Sequence, residues 1–157
     1  MTISLDKVDR ALLSALQRDA GLSQQVLAEL VGASPASCWR RIKSLEDLGL
    51  LKKPIRKVDA SKLGLTVSVF CNIRVKSHDE ATRAAFEAFV LESPEILSCF
   101  LTSGDWDFLL RLVARDVATY ERFLMRKILG HPSVAAASSH FALSIVKDET
   151  CLPIPNE

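Results

Sequence analysis

Apolar residues return about once per helical turn over the first fifty positions: Val8, Leu12 and Leu16, then Leu27, Leu30 and Val31, then Cys38, Ile42 and Leu45. That spacing predicts three short amphipathic helices. Polar punctuation marks their ends. Asp6 and Ser23 can each cap a helix start by accepting a backbone N–H, and Ala20-Gly21 stops the first helix. Gly32 closes the second, and Ser34-Pro35 restarts the chain with a cap and a proline at the first helical position. The pattern therefore predicts helices over roughly 24–31 and 35–48 joined by a three-residue turn, a helix-turn-helix.

From residue 67 the period drops to two. Val67, Val69, Cys71, Ile73 and Val75 share one face and Ser68, Asn72 and Arg74 the other, with Phe70 the exception, so a half-buried strand is expected. Asp79 caps a helix carrying Ala85, Phe86, Phe89 and Val90, which ends at Ser93-Pro94. Residues 96–102 and 108–113 read as strands around the turn Ser103-Gly104-Asp105-Trp106-Asp107. Asp116 caps a further helix with Val117, Tyr120, Leu124 and Ile128, ended by Gly130-His131-Pro132. A last strand is expected over 134–147, with Phe141, Leu143 and Ile145 on one face. The order is β-α-β-β-α-β, the ferredoxin-like arrangement. The expected fold class is thus α+β: an N-terminal winged helix-turn-helix domain over 1–51, a wing and hinge linker over 52–66, and a C-terminal ferredoxin-like βαββαβ domain over 67–157.

The third helix has two chemically different sides. At 100° per residue, Cys38, Leu45 and Gly49 fall within about 60° of Ile42 and form its packing stripe. Ser37, Arg40 and Ser44 point the other way, Arg41 and Lys43 flank them, and Trp39 stands at the boundary. Such a helix fits a DNA major groove, where arginine can pair with guanine edges and serine can bond to base or phosphate. Its first turn, with Ser34 and Ser37, can hold a phosphate on free amides. Lys52, Lys53, Arg56 and Lys57 then read as a wing that grips the phosphate backbone.

Charge strengthens this picture. The 157-residue chain carries a net charge of only +1, yet residues 1–62 hold eleven Lys and Arg against seven Asp and Glu, and residues 63–157 hold nine against twelve. Between 33 and 58 there are seven cations against Glu46 and Asp47 alone. The positive charge gathers where phosphates would be met, pointing to double-stranded DNA as a partner. A solvated helix face is the bland alternative.

Other chemistry is sparse. Cys38, Cys71, Cys99 and Cys151 have neither metal-ligand nor redox spacing, and they read as reduced thiols of a cytoplasmic protein. The start MTISLDKVDR is unlike a signal peptide, and no apolar run approaches a membrane span. Neither His131 nor His140 has a nucleophile or metal partner in the pattern. No metal, cofactor or catalytic set is expected, so an enzyme is disfavoured.

Several strings, in order, resemble one family. LDKVDRALLSALQRDAGLS, ELVGASPASCWRRIKSLEDLGLL, Leu63-Gly64, LTSGDWDFLLRL and FALSIVKDETCLPI together resemble the Lrp/AsnC transcription regulators over nearly the whole chain. The resemblance implies a DNA-binding regulator of amino-acid metabolism, a homodimer formed by pairing sheets, and rings of dimers, often octamers. It further implies a small effector, an amino acid, bound between dimers near the G-D-x-D turn, here Gly104, Asp105, Trp106 and Asp107. Gly104 permits positive φ, and a carboxylate of Asp105 or Asp107 can pair with an α-ammonium. Thr102, Val117 and the strand positions Ser138, Ser139 and His140 match positions lining or adjoining that site. The chain departs from the pattern in its wing, where Pro54 cannot donate a ladder hydrogen bond, and in Trp106, where Phe or Tyr is commoner. A metabolite-sensing interaction module with no DNA target is the alternative.

Overall fold

The computed structural model describes residues 4–155; residues 1–3 and 156–157, the outermost parts of the two expected domains, lie outside the described residues. The chain forms two compact units, one from residues up to Lys57 together with those from Lys147 on, the other from Val58 to Val146.

The first unit holds helices α1 (Lys7–Arg18), α2 (Gln24–Val31) and α3 (Pro35–Asp47). Each begins where the capping residue dictates. The Asp6 carboxylate accepts from the Asp9 N–H, Ser23 from Val26 and Ser34 from Ser37. Gly32 ends α2 with φ +67°, a left-handed conformation in which a Cβ would be strained, and so turns the chain directly into α3. Leu12, Leu27, Ala28 and Cys38 form the core, with Val8, Leu16, Val31 and Ile42 packed around it.

No β-ladder forms over 52–58 among the described residues, so the expected wing is an extended basic strap. Pro54, with no N–H to give, stands within it. The C-terminal tail joins this helical unit rather than the sheet domain to which the sequence pattern assigned it. The Gln17 side chain donates to the Leu152 carbonyl at 3.1 Å and accepts from the Leu152 N–H at 2.6 Å. The Cys151 thiol adds a contact to the Gln17 carbonyl at 3.3 Å.

The second unit is a four-stranded antiparallel sheet in the order β2-β3-β1-β4, with β1 Val67–Val75, β2 Ile96–Leu101, β3 Phe108–Ala114 and β4 Val134–Phe141. Helices α4 (Glu80–Glu92) and α5 (Val117–Phe123) complete the ferredoxin-like order, and a wide π-turn over Leu124–Ile128 extends α5. Val69, Cys71 and Ile73 of β1 and Leu110 and Leu112 of β3 are fully buried with Phe86 of α4 and Ile128. Burying Phe86 alone stabilises by about 3 kcal/mol. Phe70 takes its place on the opposite, polar face of β1 and is 40% exposed.

The last strand is shorter than its alternation predicts. Phe141 pairs with Val69, Ala142 bonds to Ser68, and β1 begins at Val67, so the ladder runs out of partner. Leu143 and Ile145, expected on one face of that strand with Phe141, lie beyond it and are exposed.

Candidate functional site

The outer side of α3 presents a stripe at the spacing i, i+3, i+4, i+7: Ala36, Trp39, Arg40 and Lys43, all exposed. Opposite it, Cys38 and Leu45 are buried. Burial of the Cys38, Ile42 and Leu45 stripe thus fixes which side faces outward. Ser44 is exposed and Ser37 half-buried, while the Ser34 oxygen accepts the Ser37 N–H at 3.2 Å.

The three cations of α3 are in three different situations. Arg41 reaches back to α1, where one guanidinium nitrogen donates to Asp6 and to Asp9, each at 2.7 Å. These bonds raise the Arg41 pKa, with Asp9 the larger influence and Asp6 next. The Asp9 N–H and then the Arg41 guanidinium hold the Asp6 carboxyl below its usual range. Lys43 pairs with Asp47 one turn on, at 3.0 Å, and that pairing raises its pKa. Arg40 has no hydrogen bond or ion pair among the described residues. Of the three, Arg40 is free to meet a ligand and Arg41 fastens the helix to its neighbour. Nothing in the sequence pattern marked Asp6 and Asp9 as Arg41's partners; the structure also joins the two in a capping box at the start of α1.

Lys52, Lys53, Arg56 and Lys57 are exposed along the strap, with Lys57 donating to the Asp148 carbonyl at 3.3 Å.

In the second unit, the β2–β3 hairpin turn is tightly held. Thr102 donates its N–H to the Asp107 carbonyl at 2.9 Å and its hydroxyl to the Trp106 carbonyl at 2.6 Å. Gly104 sits between them with φ +119°, which excludes other residues without strain. The two carboxylates differ in use. Asp107 accepts the Val75 N–H at 2.7 Å and lies 3.6 Å from the His78 imidazole, so it anchors the hairpin to β1. Asp105 points its carboxylate to solvent, where no described residue bonds to it. Its carbonyl is gripped instead by Arg74, through Nε at 3.1 Å and a terminal nitrogen at 2.7 Å. The same guanidinium lies 4.9 Å from the centre of the Trp106 ring. Arg74 is a functional candidate that sequence reasoning placed only on the polar face of a strand.

The other effector candidates are not gathered around this turn within one chain. Val117 follows the far end of β3, about 20 Å of strand away. On β4, Ser139 pairs with core-facing Cys71 and His140 with outward-facing Phe70, so the two point to opposite faces of the sheet. The Ser139 hydroxyl is engaged with the buried Tyr120 hydroxyl at 2.5 Å and with the Cys71 thiol at 3.8 Å. Burial raises the pKa of both Tyr120 and Cys71, keeping them protonated. His140 lies 3.5 Å from Ser138. Among the described residues no group of three or more metal-ligating side chains assembles, and no helix is long and apolar enough to cross a membrane.

With this geometry in view, likenesses to known proteins become specific. The family model for the Lrp/AsnC ligand binding domain matches residues 68–152, and that for a winged helix-turn-helix DNA-binding domain matches residues 5–52. The DNA-binding transcriptional activator DecR of Escherichia coli (strain K12) is 37% identical over 150 residues, 96% of this chain and 99% of that protein. The glutamate uptake regulatory protein of Zymomonas mobilis is 35% identical over 99% of this chain and 94% of its own length. Among solved structures, a transcriptional regulator of Neisseria meningitidis in complex with L-Met superposes with a TM-score of 0.92 at 33% identity, covering 96% of this chain and 97% of that one.

Proposed function

Since the chain belongs to the Lrp/AsnC family of DNA-binding transcriptional regulators, we propose that α3 reads duplex DNA through Arg40 and that an amino acid bound at the Gly104–Asp107 turn governs that reading. The observation that carries this is the division of labour on α3. Arg41 is bolted to α1 while Arg40, its neighbour, is exposed and unpartnered among the described residues. A rigidly held helix with one free guanidinium suits bidentate pairing to a guanine edge. Lys43 and Ser44 extend the contact along the groove, Ser34 and Ser37 meet a phosphate at the helix start, and Lys52, Lys53, Arg56 and Lys57 grip the backbone.

For the effector, Asp105 is the carboxylate left for an α-ammonium, with Thr102, Trp106 and Asp107 shaping the turn around it. The Neisseria regulator's complex with L-Met supports an amino acid of this class. Val117, Ser139 and His140 stand apart from the turn within one chain, which favours a site completed between copies. Phe70 and Phe100, exposed at 40% and 57%, lie on the sheet face away from α4 and α5 and favour a homodimer through that face, with dimers closing into a ring such as an octamer. The protein acts in the cytoplasm, as a regulator and not an enzyme.

The test is selection of duplexes from a random-sequence pool at low salt, followed by binding titrations of a retrieved duplex with each amino acid added in turn. Retrieval of a shared motif, and a change in its affinity with one or a few amino acids, support the proposal. A protein that retrieves nothing, or binds all duplexes equally at every salt concentration, contradicts it.

A further inference from the structure

On the outer stripe of α3 stands a side chain that no charge argument explains. Trp39 is 61% exposed, and Ala36, one turn earlier, is exposed beside it. The ring is presented on the same side of the helix as Arg40 and Lys43, so a partner that meets those cations also meets the indole. Its N–H has no acceptor among the described residues. The ring borders a shallow hollow of about 390 Å³ whose rim also carries Arg40, Lys43, Ser44, Leu48 and Asp47, the last paired with Lys43. Trp39 and Ala36 lie in the N-terminal half of the helix, the part whose residues meet base edges in helix-turn-helix docking.

Of the four base pairs, only those containing thymine present an apolar group in the major groove, the C5 methyl. Cationic Arg40 one residue on draws the helix to DNA, and the Lys43–Asp47 ion pair keeps the rest of the stripe close to neutral. We propose that Trp39, supported by Ala36, recognises a thymine methyl group beside the base read by Arg40, and so sets part of the operator sequence. The ring covers the methyl and the indole N–H donates to a neighbouring phosphate oxygen. This rests on the DNA-binding reading above and adds to it the identity of a base.

The test uses a duplex retrieved by the wild-type full-length protein. Each dT in one half-site is replaced in turn by dU, which removes the methyl and nothing else. Covering one methyl corresponds to about fourfold in affinity. The wild type is expected to lose about fourfold at one thymine of the half-site and W39A less than twofold at that same position, with W39F in between. Circular dichroism melts show whether W39A retains the wild-type fold, and W39F carries the comparison if it does not. A wild-type affinity indifferent to every dU, a motif without thymine, or a W39A variant as sensitive as the wild type overturns the proposal while leaving DNA binding intact. A pool that yields no preferred duplex overturns the DNA-binding reading itself and this proposal with it.

Discussion

Arg41 and Asp9 join two helices through one hydrogen-bonded ion pair: a guanidinium nitrogen of α3 lies 2.7 Å from a carboxylate oxygen of α1. The same nitrogen holds Asp6 at 2.7 Å. Replacing Arg41 with Met is therefore expected to lower Tm and to weaken DNA binding, although Arg41 itself touches no DNA in this account. Acid reports the same link. The folded Asp6 pKa lies below its unfolded value, so its contribution is present above the ordinary carboxylate range and disappears as pH falls through the folded value. Thermal melts of wild type and R41M should converge as the pH drops below about 4, and a gap that persists unchanged in acid would show that the pair does something else.

Asp105 and Asp107 are two residues apart and have separate tasks. D105N is expected to leave Tm unchanged and to weaken the effect of the responding amino acid on DNA affinity at least tenfold, the loss of one charge-assisted contact. D107A removes the acceptor of the Val75 N–H and should cost about 1–2 kcal/mol in denaturant unfolding. If D105N responds to the amino acid as wild type does, the ammonium is held elsewhere.

The Tyr120–Ser139 hydroxyl pair sits against Cys71 in the core of the sheet unit. Y120F removes the shorter of the two contacts of the Ser139 hydroxyl and leaves the one to Cys71, and is expected to cost about 1–2 kcal/mol, measured by urea unfolding. S139A, which removes the other half of the pair, should cost less when combined with Y120F than the two single losses predict, a coupling that a double-mutant cycle reads directly.

Gln17 clasps the tail through both of its amide atoms. Q17A should lower the stability of the helical unit by about 1–2 kcal/mol and expose the backbone around Leu152 to faster amide exchange. Unchanged exchange at Leu152 would mean that the tail is held by other contacts.

Much of this architecture was legible because local and tertiary forces agree. Asp6, Ser23, Ser34, Asp79 and Asp116 all cap the helices their positions suggested, and strict alternation from Val67 to Val75 marked β1. Where the reading fell short, distant partners decided the outcome. Residues 142–147 alternate like a strand, but β1 offers no further ladder. The tail's place on α1 depends on Gln17, some 135 positions away. At the candidate sites, residue types on the outer side of α3 could be read from periodicity, whereas the engagement of Arg41 by Asp6 and Asp9, and of Asp107 by the Val75 N–H, depended on groups meeting across elements.

The central claim is that Arg40 reads a base. Affinities of wild type and R40A for a retrieved duplex and for a scrambled one, measured side by side across a salt series, test it most directly. Loss of one bidentate base contact corresponds to about 1–3 kcal/mol. The expected result is that R40A loses roughly tenfold or more on the retrieved duplex and little on the scrambled one. An equal loss on both, with a shallower salt slope, would make Arg40 a phosphate contact and contradict the account.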